Sequence, residues 1–562
     1  MVTKSKDNTN RKSMVGKLIL KEAHMSSKHQ AHVVAVSLTL VCFAVVAWLA
    51  PTGHAQLPDK TVTPNRADVG INKSFSQQAG AGRGNLMMPD SSSFIIKRDP
   101  FRAIRRGRQL FQRKYTKLQG LGPLSGDGLG NIETTFAIGA GLVDSCAGCH
   151  GRPRGAAGFG GDVVTRPDSR DAPHLFGLGL KEMLADEITF DLRVIRQQAI
   201  EEARRSPPNR PVTKTLDSKG INYGFISAMR RGNQVSVDTS RVSGVDTDLR
   251  VRPFFVQGGT ISIREFIVGA WSAEMGLQSV DPELAAARNG GIITTPSGMV
   301  LDGAKDQIEG PPVTEAMEDA DGDGVTNEIP TSIVDFMEFY LLNYFKAATY
   351  EQSDRVIAGR QKFQEIGCAQ CHIPDLLINR DRRVADLETV YDTENGIFNN
   401  LFGTATALFT PHDDGSGFPA VKRPANQPFL VRNIFTDFKR HDLGPNFYER
   451  NYDGTTEKKF LTTALWGVGS TAPYGHDGRS INLREVILRH GGEAQEARNA
   501  FTELSPGDQF GIFEFLNSLV IFPPDDTASN LDPGNRDAVG FPQFGHGSVK
   551  LTVLFNNPSD IE

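Results

Sequence analysis

Two cysteines separated by two residues and followed at once by a histidine occur twice: Cys146, Cys149 and His150 in CAGCH, and Cys368, Cys371 and His372 in CAQCH. This is the attachment pattern of a c-type haem, in which both thiols bond the porphyrin vinyl groups and the histidine ligates the iron. The spacing lets one helical turn present both sulfurs to one porphyrin edge, while the adjacent imidazole swings under the metal. A single copy also reads as a redox Cys-x-x-Cys or as half of a zinc site. The second copy shifts the balance to haem, with His150 and His372 as the proximal iron ligands.

A proximal histidine leaves one axial position on each iron, and what fills it separates electron transfer from catalysis. Met337 is the last methionine, so nothing after the second pair can supply a thioether. Histidine becomes the leading candidate, and outside the leader the non-proximal ones are His174, His412, His441, His476, His490 and His546. In SINLREVILRHGGEA, Asn482 with Glu485 makes a capping box and Gly491-Gly492 ends the helix. Leu483, Val486, Ile487 and His490 recur at helical spacing, which places the imidazole on the apolar face and favours it as sixth ligand. His476, in the turn-forming APYGHDGR, is the competitor. His174 reads as a capped or buried structural residue.

A hard-cation site is suggested by DADGDGVTNE, where Asp319, Asp321 and Asp323 alternate and Gly324 is sixth, as in calcium loops. The match is incomplete: the twelfth position is Pro330, and the nearest further carboxylate is Glu328 at the tenth. A plain acidic turn is the alternative.

The elements that must position these groups also repeat. GRQLFQ at 107–112 and GRQKFQ at 359–364 each precede a haem pair, with 30 more residues between them in the first unit. This predicts a duplicated haem domain with the first copy elaborated. Helices are expected at 172–188, at 263–276 (carrying Trp271 as core or as a relay between haems) and at 333–345. The closing segment from Ser505 has Pro506 at its first helical position and Phe510, Phe513, Leu516 and Val520 along one face, to pack across the approach helix carrying Phe363. Glycines crowd 120–141 and the stretch around the first pair, which suits backbone lying over a porphyrin or a surface loop.

With 562 residues, 39% hydrophobic and 23% charged, the chain has material for two or three domains with real cores. Four of the five cysteines belong to the haem pairs and Cys42 lies in the leader, so none remains for a structural disulfide in the mature body. Residues 1–32 are basic, 33–50 form an apolar run, and Gly53-His54-Ala55 offers small residues to a signal peptidase. Cleavage after Ala55 is favoured, with an uncleaved anchor as the alternative. Removing seven basic and two acidic leader side chains from 61 and 66 leaves 54 and 64, a net charge of −10. That balance excludes a basic nucleic-acid surface.

Taken in order, CAQCHIP, KRHDLGP at 439–445, LWGVG at 465–469, APYGHDGR and ILRHGGEA resemble the di-haem oxidoreductases. These are relatives of the bacterial di-haem cytochrome c peroxidases and of the di-haem enzyme that matures tryptophan tryptophylquinone. FGLGL at 176–180, Met275-Gly276 and DGDGVTNE extend the likeness to about 98–522. Members of the family often show a Gly-Arg-Phe-Gly-Trp-Lys run where this chain reads RVRPFFVQGG at 250–259, a departure at the first haem's distal pocket. In the wider superfamily the sixth ligand of the C-terminal haem is a Met or Tyr 14 residues after the histidine of a PYxHDG motif, and counting from His476 reaches His490.

The expected fold is mainly α: two cytochrome c-like haem domains related by duplication, with long loops and insertions. The expected spans are a signal peptide at 1–55, a polar linker at 56–97, the first haem domain at 98–315, the calcium loop and connecting helix at 316–349, the second haem domain at 350–522 and a tail at 523–562. The expected function is an exported, periplasmic di-haem c-type oxidoreductase, peroxidase-like. The resemblance implies an open first haem for peroxide or dioxygen and a six-coordinate second haem, on His372 and His490, that stores electrons. Glu265, Glu274, Arg152 and Arg154 are candidate proton donors. The reductant would be a small electron-donor protein or a quinol-linked carrier, with a membrane involved only if the leader is kept. A non-catalytic di-haem electron carrier and a dioxygenase-like enzyme acting on an organic substrate are the alternatives.

Overall fold

Helices begin where the sequence supplies caps. Ser74 caps α1 (Phe75–Ala79), Ser91 caps α2 (Ser92–Arg98), and Asp99 with Pro100 starts α3 (Pro100–Gln112). The first haem motif is itself α4 (Cys146–His150), followed by the long α5 (Leu178–Arg205). Ser262 caps α6 (Ile263–Ala270), which runs into a π-helix at Trp271–Met275, and Asp281 caps α7 (Pro282–Arg288). After α8 (Thr331–Asn343), the second half contains α9 (Asp354–Glu365), α10 (Leu483–Arg489), α11 (Gln495–Glu503) and α12 (Pro506–Ser518).

The computed structural model describes residues 74–122, 143–150, 162–163, 170–344, 348–349, 353–387, 405–451 and 454–520. All lie in one unit, Leu57–Glu562. The leader, the tail and the glycine-rich stretches 123–142 and 151–161 fall outside them. Among the described residues no helix is long and apolar enough to cross a membrane.

The expectation of a mainly α pair of duplicated cytochrome c-like domains is corrected. The described residues are 38% helical and 18% strand, arranged in several small sheets, and no cytochrome c duplication is evident. The largest sheet pairs Pro211–Ser218, Ile221–Arg231 and Gln234–Asp238 antiparallel. Turns with positive φ at Lys219, Gly220 and Gly232 set its register. Alternation along these strands buries Val212, Leu216, Tyr223, Ile226 and Ala228 against α5. Period-2 patterning there, and short hairpins between the second haem motif and α10, supply the β content that the helical signals around the haem motifs concealed.

Three buried clusters organise the described residues. One gathers α2, α3, α6 and α8 around Ile104, Phe111, Trp271, Phe336 and Tyr340. A second joins α5 and the sheet to Leu376, Ile378, Ile434, Phe438 and Trp466 from the second half. The third packs α9 on α12 through Phe363, Phe435, Ile512, Phe515 and Leu516. Ser505 and Pro506 start α12 as expected, but its inner face is Ile512, Phe515 and Leu516, and Phe510 is half exposed. A Cβ on Gly359 would overlap the carbonyl of Gly511, and one on Gly107 the carbonyl of Phe336. Both approach helices therefore cross their neighbours at backbone contact.

Inside the first cluster, Arg264 is fully buried and meets three carboxylates: Asp281 at 2.6 Å, Asp335 at 2.9 Å and Glu338 at 2.8 Å. Arg83 reaches the same Asp335 at 2.6 Å. The cluster of opposite charges holds the Arg264 guanidinium charged against the burial that disfavours it. This network fastens α6, α8 and the cap of α7 together.

Candidate functional site

In the first motif, Cys146 is half-buried against the aromatic core formed by α3 and α8. Burial pushes its thiol up to about 12. Burial and the nearby charge of Glu274, on the π-helix, raise Cys149 as well. Nδ1 of His150 lies 2.7 Å from the carbonyl oxygen of Pro173. Burial lowers the His150 pKa against the opposing pull of that bond, so the ring is neutral near pH 7. A neutral ring that donates through Nδ1 keeps its lone pair on Nε2, where a metal would be met. In the core against which Cys146 packs, Tyr340 and Tyr344 are 4.8 Å apart, and Tyr344 stacks on Phe176 at 5.2 Å.

The second motif opens with a 3₁₀ turn, Cys368–Gln370, at the end of α9. Nδ1 of His372 lies 3.0 Å from the carbonyl oxygen of Phe435, again leaving Nε2 as the free donor. Asn433, Phe435 and Phe438 all have positive φ, a left-handed backbone that costs bulky residues roughly 1 kcal/mol or more each. That conformation turns the Phe435 carbonyl to the histidine while the Phe435 ring packs 6.0 Å from Phe363 and 5.5 Å from Phe515. Burial first, and then the neighbouring charge of His490, push the His372 pKa down to about 4.

His490 is the C-cap of α10, after the Asn482 side chain has accepted from the Glu485 N–H at its start. Its Nδ1 lies 2.7 Å from the Val486 carbonyl oxygen, the same arrangement as in both motif histidines. Leu483 is buried, whereas Val486, Ile487 and His490 are half-buried. His476 differs: its Nε2 is 3.0 Å from Oε1 of Glu449, and its ring stacks on Phe460 at 4.3 Å. A carboxylate thus stands next to the nitrogen that a metal would need.

Residues 377–519 match one family, described as "Di-haem oxidoreductase, putative peroxidase". That segment matches the family whose motifs the chain resembles. No curated protein matches the chain. The di-haem oxidoreductase segment contains His441, Glu449, Trp466, His476 and His490, while both Cys-x-x-Cys-His motifs precede it. The family description supplies oxidoreductase chemistry and two haems.

The donor set fits haem better than the other uses of paired cysteines. In each motif two thiols stand beside a histidine whose Nδ1 is tied to a backbone carbonyl and whose Nε2 is left for a metal, the donor set that a c-type haem uses. Cys371, Asp437 and His441 do come together within 4.8 Å. But Nε2 of His441 lies 2.9 Å from Asp437 and Nδ1 2.8 Å from Glu493. With a carboxylate on each nitrogen, His441 is an imidazolium that donates twice and has no lone pair for a metal.

Asp319, Asp321 and Asp323 also bring oxygens within 4.8 Å of one another. Glu328, only 4% exposed, sits beside them and accepts from the Gln278 N–H at 2.8 Å. Burial and the like charges of this cluster push Glu328 up to about 8 and Asp321 to about 6. Mutual repulsion of this kind suits a divalent cation.

Of the proposed proton donors, Arg152 and Arg154 lie outside the described residues. Glu265 is buried with both oxygens engaged, one by Ser262 Oγ at 2.7 Å and one by the Glu309 N–H at 3.1 Å. Glu274 is the one beside the first cysteine pair. Trp271 is core, whereas the Trp466 ring covers Gly177. In the departing 250–259 segment, Arg250 pairs with Asp186 at 2.7 Å and Arg252 with Asp248 at 2.8 Å. Sequence reasoning missed the Pro173 and Phe435 carbonyls, Trp466 and Glu449. The first two are backbone groups and carry no side-chain signal.

Proposed function

We propose that the protein is an exported di-haem c-type oxidoreductase of the peroxidase kind. The observation that carries this reading is the shared geometry of His150, His372 and His490, each with Nδ1 tied to a backbone carbonyl and Nε2 left as donor. Cys146, Cys149 and His150 would hold the first haem. Cys368, Cys371 and His372 would hold the second, with His490 as a further ligand through its Nε2. Bound haem supplies iron that exchanges single electrons and, where an axial position is open, takes up peroxide or dioxygen.

The chain's own residues orient these groups and move protons. The Pro173 and Phe435 carbonyls fix the tautomer and plane of each proximal imidazole and raise its basicity. Glu274, whose charge bears on Cys149, would hold and pass the proton that bound peroxide takes up. Asp319, Asp321, Asp323 and Glu328 would hold one calcium ion, which neutralises their repulsion and locks the loop between α7 and α8. The apolar leader directs the body to the periplasm, where a small electron-donor protein or a quinol-linked carrier reduces it.

An absorption and spin-resonance titration of the purified holoprotein with cyanide and peroxide tests this. The expected result is one low-spin ferric haem that ignores both reagents and one that binds them. Two low-spin, unreactive haems would instead identify an electron carrier.

A further inference from the structure

Glu449 connects the two histidine sites. It takes a forked pair of bonds from Arg170, Nε to Oε1 at 3.1 Å and Nη2 to Oε2 at 2.8 Å. The same Oε1 lies 3.0 Å from His476 Nε2, and the Asp171 N–H donates to the His476 carbonyl at 3.0 Å. Arg170 and Asp171 begin a strap that continues to Pro173, whose carbonyl holds His150. On the other side, Phe447 lies 6.0 Å from the His476 ring and edge-on to His490 at 5.2 Å. The Glu449 side chain is 6% exposed. Burial favours its neutral form, but His476 and Arg170 outweigh that and keep it below the usual carboxylate range, so it is an anion.

Forked, charge-assisted bonds of this kind fix direction as well as distance. The hydrogen bond from a proximal histidine to its carbonyl sets how strongly that histidine donates to iron, so movement of the strap would be read at the first metal. Movement of His476 and Phe447 would be read at the second, through the packing of His490.

We propose that Glu449 is a positioning residue shared by both haems, clamping the strap that holds His150 to the wall that seats His490. This rests on the di-haem reading above, and the test separates the two. The wild-type holoprotein is first assayed for haem content, then compared with Glu449→Gln and Arg170→Met. The readouts are the iron–histidine stretching band of the reduced five-coordinate haem and the spin-resonance g-values of the low-spin ferric haem. Glu449→Gln should shift both signals, and Arg170→Met, at a partly exposed side chain, should shift the first. Two haems per chain with an unmoved stretching band in either variant would overturn the clamp, as would unmoved g-values in Glu449→Gln. Should Glu449→Gln not fold, the stretching band of Arg170→Met decides. Fewer than two haems on the wild-type chain would overturn the underlying reading itself, and the clamp with it.

Discussion

Nδ1 of His372 stands 3.0 Å from the carbonyl oxygen of Phe435, and the positive φ of Phe435 is what turns that carbonyl to the ring. A backbone group thereby selects the nitrogen that the second haem's iron would receive, and His490 repeats the device with Val486. Replacing His490 by alanine should therefore convert the low-spin ferric haem into a high-spin one without loss of covalent haem. Absorption and spin-resonance spectra of the purified variant check this, and an unchanged low-spin signal would remove His490 as a ligand. His476→Ala should leave that haem six-coordinate.

Glu274 lies beside Cys149, on the π-helix that α6 leads into. Glu274→Gln keeps the shape and removes the transferable proton. Peroxide turnover should fall by roughly 10²- to 10⁴-fold, the range for losing a general acid–base group. Haem content should be unchanged. Stopped-flow kinetics of peroxide consumption would read the loss, and wild-type rates would exclude the role.

Arg264→Met leaves Asp281, Asp335 and Glu338 buried without their common cation. Breaking one side of a buried ion network costs about 3–5 kcal/mol. Urea denaturation should show the unfolding free energy falling by that amount, more than for a surface pair such as Lys305 with Asp302, which is worth about 1 kcal/mol or less.

Burial raises the Glu265 pKa to about 7, against the hydrogen bonds from Ser262 and Glu309 that pull it down. A carboxyl that is raised in the folded state keeps its proton there while the unfolded chain releases it. Its contribution to stability is therefore full below about pH 4.5 and declines as pH rises to about 7. Glu265→Gln should abolish this slope. The difference in melting temperature between variant and wild type should then shift in the variant's favour from pH 5 to pH 8, which calorimetry would follow.

Calcium should bind once per chain, at the Asp319–Asp321–Asp323 loop with Glu328. At 100 times its dissociation constant, one ion bound only to the folded state adds about 2.7 kcal/mol. Titration calorimetry should give one site in the wild type and none in Asp321→Asn, and chelation should lower the melting temperature of the wild type alone.

How much of this was legible depends on the distance over which each feature is encoded. The haem pairs, the Ser505–Pro506 start of α12 and the helix that ends at His490 are written within a dozen residues, and helical caps appear where local chemistry puts them. The inner face of α12 was misjudged because the close approach of Gly511 to Gly359 turns Ile512 and Phe515 inward, a choice made by the partner helix. The sheet at 211–238 carries a period-2 pattern, but its three strands are short next to the helical signals beside the cysteine pairs. Glu449 had no local signature at all: its meaning lies in Arg170, 279 positions away.

The contact of Gly359 with Gly511 has a bearing on how this molecule can vary. Where two helices touch main chain to main chain, their separation is a property of the polypeptide rather than of any side group, so the floor beneath Phe363 and the second cysteine pair acts as a fixed datum. Substitution elsewhere can retune the surroundings of that metal centre, but its depth below the surface is not open to gradual adjustment. A single added methyl at Gly359 would change it in one step.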